Sequence, residues 1–254
     1  MCLIVVAHRA HPDYALVLAA NRDEYYRRPT AAAAFWSDAP QVLAGRDLQG
    51  GGTWLGVTSQ GRWAALTNVR GSRSVSAAPS RGLLVSGYLR GDEAPRNYLE
   101  RIAAQAHRYA GFNLLAGDSR TLACFSNDDG GLQVLAPGCY GLSNHHLDTP
   151  WPKLERAKNR VKKLLARPDF DPGQLWKVLA DRHLPPAEAL PETGLPGYME
   201  RALGAIFVHL PDYGTRCSTV LAITYDGHVS LIERRFGKNG HIEGESPFRF
   251  MVHN

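Results

Sequence analysis

No lysine precedes Lys153, and no block of five or six like charges occurs anywhere in the 254-residue chain. The formal charge of +5 comes from arginines scattered as Arg9, Arg22, Arg46, Arg62, Arg90 and Arg120. Nucleic-acid binding requires clustered cations that neutralise several phosphates, so that class is set aside. Dispersed guanidinium groups suit a small anionic ligand, such as a carboxylate, at least as well. The one dense basic stretch, Lys153 to Lys163, alternates with apolar positions at helical spacing and reads as a solvated helix face.

Cysteine is sparse as well. Cys2, Cys124, Cys139 and Cys217 lie far apart, with no CxxC pair and no spaced histidine partners, which argues against a structural zinc site or a disulfide framework. No run approaches the ~20 apolar residues of a membrane-spanning helix. The opening "CLIVVA" is too short for a signal segment and has no basic stretch before it. The expectation is a soluble, reduced, cytoplasmic protein with no membrane span. Repeats and low-complexity segments are absent too, and residues 1–254 read as one large sheet-based domain.

What is present begins with two apolar runs, 2–7 and 15–20, separated by the turn sequence "HPDY". They barely alternate, which predicts a hairpin buried on both faces. Strands are also expected at 53–58, 62–69, 112–117, 121–126, 215–224 and 228–236. Helical spacing marks 95–110, 151–166 and 173–182, and the proline-rich 185–197 reads as a surface loop. Hairpin-type connections dominate, which favours an α+β fold with largely antiparallel sheets covered by helices.

Several stretches invite a chemical reading. Cys2 is either a small core hydrophobe or, once Met1 is removed, an N-terminal nucleophile with its own α-amine as base. "NRDE" (21–24) ends the second strand beside Cys2. It either runs out into solvent or places a carboxylate and a guanidinium next to the thiol. Asn68 in "LTN" and Asn144 in "LSN" terminate strand-like runs; they are turn residues or oxyanion donors. Arg216 enters an otherwise apolar strand as an ion-pair partner or a carboxylate clamp. "GGGTW" (50–54) lacks the lysine of a phosphate-binding loop and is read as a turn into a strand.

Taken together, the starting "MC", "ANRDE", "GGTWLG", "LTNVR", "GFNLL", "GLSN", "YGTR" followed by "STV", and the late Glu233-Arg234 resemble the NRDE family, also called Transport and Golgi organisation 2. The likeness spans Cys2 to about Arg235. That family is similar to the cysteine N-terminal nucleophile hydrolases, among them bile salt hydrolases and penicillin V acylases. The resemblance implies a four-layer αββα sandwich of two mainly antiparallel sheets. It puts Cys2 at the nucleophile, Asp23 at the aspartate that orients the amine, Asn68 and Asn144 at the oxyanion side, and Arg216 at a late arginine. The acylases carry an Arg-Asn-x-Asp order; matching Asn21 and Asp23 to it leaves Ala20 at the arginine. Arg22 then lies one or two positions away; an odd shift along a strand reverses the face, so Arg22 is expected to fill that role only with a local bulge.

Two functions follow from the resemblance. One is hydrolysis of a linear amide or acyl bond, with a small-molecule substrate and no required cofactor. The other is non-catalytic carriage of a ligand, in haem trafficking or lipid and acyl-CoA handling. For the second, haem is the candidate ligand, and His145, His146, His8 and His11 are the candidate contacts. With no CxxCH attachment motif, such binding is expected to be reversible.

Overall fold

The computed structural model describes residues 2–71, 75–128 and 130–252. In chain order the strands are β1 (Cys2–His8), β2 (Tyr14–Tyr25), β3 (Thr30–Trp36), β4 (Ala39–Asp47), β5 (Leu55–Thr58), β6 (Trp63–Asn68), β7 (Phe112–Gly117), β8 (Leu122–Ser126), β9 (Gly131–Leu135), β10 (Gly138–Leu142), β11 (Tyr213–Thr224), β12 (His228–Phe236) and β13 (Ile242–Met251). The helices are α1 (Gly82–Arg90), α2 (Pro95–Ala103), α3 (Pro152–Leu165), α4 (Trp176–Leu179) and α5 (Gly197–Leu203).

The opening hairpin lacks alternation because both faces of β1 and β2 are covered. Ile4, Val6, Leu16, Leu18 and Ala20 point into the space between two sheets, packed with Trp63, Leu115 and Leu221. Leu3, Val5, Ala7, Val17 and Ala19 point the other way, under Leu154, Ala157, Val161 and Leu165 of α3. One sheet has six strands in the order β10-β1-β2-β11-β12-β13, and the other has seven in the order β3-β4-β5-β6-β7-β8-β9. Every strand pairing in both is antiparallel. On the outer face of the second sheet, Leu84, Val85, Tyr88 and Leu89 of α1 and Leu99 and Ile102 of α2 form a third core with Phe112 and Leu114. The layers therefore run helix, sheet, sheet, helix, as the resemblance implied.

Local departures from the sequence reading have identifiable causes. The strand expected to end at Ala20 continues through Asn21, Arg22 and Asp23, all buried, because β11 pairs alongside as far as Tyr25. The helix expected over 95–110 stops at Ala103. The chain then tightens into a 3₁₀ turn at Ala106–Arg108, whose carbonyl side is capped by the Asn127 amide. The 173–182 helix shrinks to a 3₁₀ turn at Pro172–Leu175 followed by α4, since the Leu179 carbonyl accepts a hydrogen bond from the Asn21 side chain. Lys153 is no part of a solvated face; it is 3% exposed. Among the described residues no helix is long and apolar enough to cross a membrane.

Candidate active site

At one end of the sandwich β1 begins directly opposite the middle of "NRDE". Cys2 pairs with Arg22 and Leu3 with Asn21, with no slip in the β1–β2 register. Paired residues of antiparallel strands share a face, so Cys2 and Arg22 both point between the sheets. No bulge in β2 is needed to bring the guanidinium there. The irregularity lies in the neighbouring strand, between Thr215 and Cys217 of β11.

Asp23, one residue on, faces the helix layer. Its Oδ1 accepts a hydrogen bond from the Thr215 hydroxyl at 2.7 Å, and its backbone carbonyl accepts one from the Tyr213 hydroxyl at 2.8 Å. A cleft of about 380 Å³ opens at this sheet end, lined by Cys2, Arg22, Asp23, Asn68, Trp54 and Arg81 among others. The Arg22 guanidinium lies 4.3 Å from the Trp54 ring centroid and 3.8 Å from carboxylate oxygens of both Glu24 and Asp47. Arg28 holds Asp47 more tightly, at 2.9 Å. The Arg81 guanidinium donates to the Gly111 carbonyl at 2.8 Å.

The other sequence candidates divide. Asn68, the last residue of β6, lines the cleft from the opposite sheet. Asn144 is fully buried behind it: its Nδ2 donates to the Asn68 carbonyl at 2.9 Å, and its own carbonyl accepts from the Arg70 N–H at 2.8 Å. Ser143 donates to the Cys2 carbonyl at 3.0 Å. The "LSN" stretch thus ties the start of β1 to the end of β6 and sets the distance between thiol and amide. Arg216 is carried elsewhere. It occupies the β11 bulge, and its Nη1 donates to the carbonyls of Tyr25, Tyr26 and Arg28, which stitches the β2–β3 turn. Bulges re-aim side chains in this way.

The electrostatics of the groups around the cleft are governed by burial. Burial pushes the Cys2 thiol above its ordinary value, with Asp23 adding to the rise and Arg22 and the Asp23 backbone N–H opposing it. Burial also raises the Asp23 carboxyl, against the pull of Lys153, the Thr215 hydroxyl and Arg22. Lys153, which sequence reading placed in solvent, is drawn down by burial to about 8. Deeper between the sheets, Glu233 accepts a hydrogen bond from the Ala33 N–H at 2.8 Å and so links the two sheets.

Among the histidines, the rings of His145 and His146 lie 4.4 Å apart, and His145 Nδ1 lies 3.0 Å from the Thr149 hydroxyl. His8 and His11 are buried away from them. Among the described residues no group of three His, Cys, Asp or Glu side chains is placed to hold a metal ion. Met1 lies outside the described residues.

The family model for Transport and Golgi organisation 2 matches residues 1–238. The chain belongs to that family. The Bos taurus "Transport and Golgi organization protein 2 homolog" is 40% identical over 256 residues, covering 92% of each chain. The Drosophila melanogaster "Transport and Golgi organization protein 2" is 30% identical and covers 92% of this chain and 91% of that one. Solved structures of N-terminal nucleophile hydrolases share the fold. The Caenorhabditis elegans ortholog of N-acylethanolamine-hydrolyzing acid amidase superposes with a TM-score of 0.52 at 11% identity, over 87% of this chain and 92% of that one. A C2A mutant of the conjugated bile acid hydrolase from Clostridium perfringens gives 0.53 at 7% identity, over 100% and 97%. This member of the family therefore has the N-terminal nucleophile hydrolase sandwich, with a cysteine at the start of its first inner strand.

Proposed function

We propose that the chain is an acyl-transfer hydrolase of the N-terminal nucleophile type, acting on a linear amide or acyl bond of a small molecule. The observation that carries this reading is the convergence of Cys2, Arg22, Asp23 and Asn68 on one cleft from two sheets. After Met1 is removed, the freed α-amine of Cys2 takes the proton of its own thiol. Sγ forms a bond to the substrate carbonyl carbon, and the oxyanion is met by the Asn68 amide, with Asn144 fixing the Asn68 backbone from behind. The C–N bond then breaks, and the leaving nitrogen receives the proton from the α-amine. A water attacks the thioester, the C–S bond breaks, and its proton returns to the sulfur.

A thiol raised by burial is protonated at neutral pH, so the base matters. An ordinary α-amine titrates at about 7.7–8.0 and an ordinary thiol near 8.5. Acylation depends on loss of an amine proton, so its rate is expected to rise with pH through the titration of the α-amine in the processed chain. In a chain that retains Met1 the same rise is expected only at higher pH, where the thiol itself ionises. Intact-mass spectrometry after incubation with a p-nitrophenyl acyl ester reads both quantities, methionine loss and the acyl adduct on Cys2. If the processed chain acquires no adduct while a ligand such as haemin or an acyl lipid occupies the cleft, the carrier function holds and the hydrolase reading fails.

Asn68→Ala is expected to slow acylation by about 10²-fold, the low end for loss of one oxyanion donor. A burst measurement with the same ester checks it, and an unchanged burst rate removes Asn68 from the mechanism.

A further inference from the structure

Three of the arginines scattered along the sequence meet at this cleft, and their charges are not equally matched. Arg22, Arg28 and Arg81 line it together with the carboxylates of Asp23, Glu24 and Asp47. Arg28 grips Asp47 at two points, Nε at 3.1 Å and Nη2 at 2.9 Å. Arg22 lies 3.8 Å from Glu24 and from Asp47. Asp23 is turned to the helix layer, where it accepts from Thr215. Arg81 has no carboxylate within ion-pairing distance among the described residues. Its one hydrogen bond there runs from Nη1 to the Gly111 carbonyl. The other nitrogens of this half-buried guanidinium have no partner among the described residues, and they are not sealed from the cleft.

Local structure holds this cation in place. Arg81 directly precedes α1, and its carbonyl accepts from the Leu84 N–H at 3.0 Å in the first helical turn. That turn is seated on the "GGTW" stretch. The Thr53 N–H donates to the Gly82 carbonyl at 3.2 Å, and a Cβ on residue 52 would collide with the Gly82 backbone. Glycine at 52 is what permits the approach, so the glycine-rich run does more than turn the chain into β5. With its backbone docked on Gly52 and Thr53 and one nitrogen on Gly111, Arg81 is ordered before any ligand arrives. Less conformational entropy is then lost on binding.

Charge and shape narrow the ligand. A guanidinium fixed at one corner still offers a planar edge of N–H donors, which a carboxylate meets with two parallel hydrogen bonds. One unmatched positive charge suits a singly charged carboxylate. A phosphate monoester carries about −1.5 to −2 at neutral pH and calls for a second cation, whereas Arg22 and Arg28 already face Glu24 and Asp47.

We propose that Arg81 is the specificity-determining residue of this cleft and that the substrate is an acyl compound bearing a carboxylate, which sits on the open edge of the Arg81 guanidinium while the scissile carbonyl meets Cys2. The assignment rests on the nucleophile reading given above and adds the substrate class to it. Arg81 makes and breaks no bond; it holds the charged end of the molecule.

The test compares two alkylating reagents that differ in a carboxylate against a carboxamide, iodoacetate and iodoacetamide. Both are applied to the processed full-length chain at neutral pH, and Cys2 is read by peptide mass mapping. Cysteinamide, which has the same α-amine and thiol but no cleft, is the reference. The iodoacetate-to-iodoacetamide rate ratio at Cys2 is expected to exceed that of cysteinamide about tenfold, the low end for hydrogen bonds to a charged group. Arg81→Gln is expected to return the ratio to the cysteinamide value. Arg81→Lys, which keeps the charge but not the fork, is expected to fall between the two. N-acetylglycine is expected to protect Cys2 from iodoacetamide at concentrations where N-acetylglycinamide and inorganic phosphate do not.

A parent ratio equal to that of cysteinamide overturns the assignment, and that comparison needs no variant to fold. An unchanged ratio in Arg81→Gln, or an Arg81→Lys ratio no higher than that of Arg81→Gln, overturns it as well. Equal protection by the two glycine derivatives, or better protection by phosphate, removes the carboxylate as the ligand. Cys2 alkylated no faster than Cys139 by either reagent overturns the nucleophile reading itself, so the two failures are told apart.

Discussion

Cys2→Ala is expected to lower acyl-ester and amide turnover by about four orders of magnitude or more, while the melting temperature stays within a few degrees of the parent. The size of the loss follows from the chemistry. A nucleophile that forms the covalent intermediate has no ready substitute: Cys124 is buried in the core, Cys139 lies on β10 away from the cleft, and Cys217, opposite Arg22 on β11, is buried with its thiol pushed up by that burial and does not line the cleft. What survives is the stabilisation from cleft binding and the oxyanion donors, which for comparable sites leaves a residual rate of only ~10³–10⁴ over water. The small effect on stability follows from the packing. Cys2 opens β1 at the sheet end, and its carbonyl, held by the Ser143 hydroxyl, is unaffected by the side chain. Progress curves with a p-nitrophenyl acyl ester, together with intact mass, decide the matter. Turnover persisting in Cys2→Ala would assign the chemistry to another group and leave the cleft as a binding site.

The parts of this architecture legible in the sequence are those where local pattern and burial agree. β1, β7, β8, β11 and β12 are apolar runs bounded by turn residues, β1 at its second end only, and each is found within a residue or two of its expected bounds. β3 and β4 were not legible. "TAAAAFW" has four consecutive alanines at its centre and "APQVLAGRD" a single β-branched residue, and their strand conformation is imposed by pairing with each other and by the Glu233 carboxylate reaching the Ala33 N–H from the other sheet. α1 carries Gly82, Ser86 and Gly87 in nine residues and has no acidic residue in its first turn, so propensity argues against it. It forms because Leu84, Val85, Tyr88 and Leu89 are buried on the second sheet. β13 is half polar and edge-exposed, held by its pairing with β12.

The same logic governs the site. Arg22, Asp23 and Asn68 could be named because each ends an apolar run, where a polar residue demands an explanation, and Cys2 because it stands directly behind the start methionine. The face that Arg22 takes could not be read, since it depends on the pairing register with β1. Lys153 was hidden by its company: five more basic residues follow it on the same helix, and only the docking angle of α3 separates the buried one from the solvated ones. Arg81 had no signal at all, because it joins the cleft from a segment with no apolar periodicity.

The alternation along "NRDE" carries a second large prediction. Arg22 points between the sheets at the cleft, whereas Asn21, one step earlier, points under the helices and does structural work. Its Nδ2 donates to the carbonyls of Leu179 at 2.9 Å and Ile206 at 2.8 Å, and its Oδ1 accepts from the Ser218 hydroxyl at 2.6 Å. At 1% exposure no water can replace the amide. Asn21→Ala leaves two carbonyls and a hydroxyl buried without partners, at about 1–3 kcal/mol each. Some of that is recovered by relaxation, so the expected loss is ~4 kcal/mol, near a thousandfold in the folded-to-unfolded ratio and roughly 10 °C in melting temperature. Urea unfolding of the purified variant measures it directly. Cys2 alkylation per folded molecule is expected to stay within about threefold of the parent, because the cleft-facing side of β2 keeps Arg22 opposite Cys2. A variant that instead melts normally but loses Cys2 reactivity would place Asn21 in the site and reverse the assignment of faces along this strand.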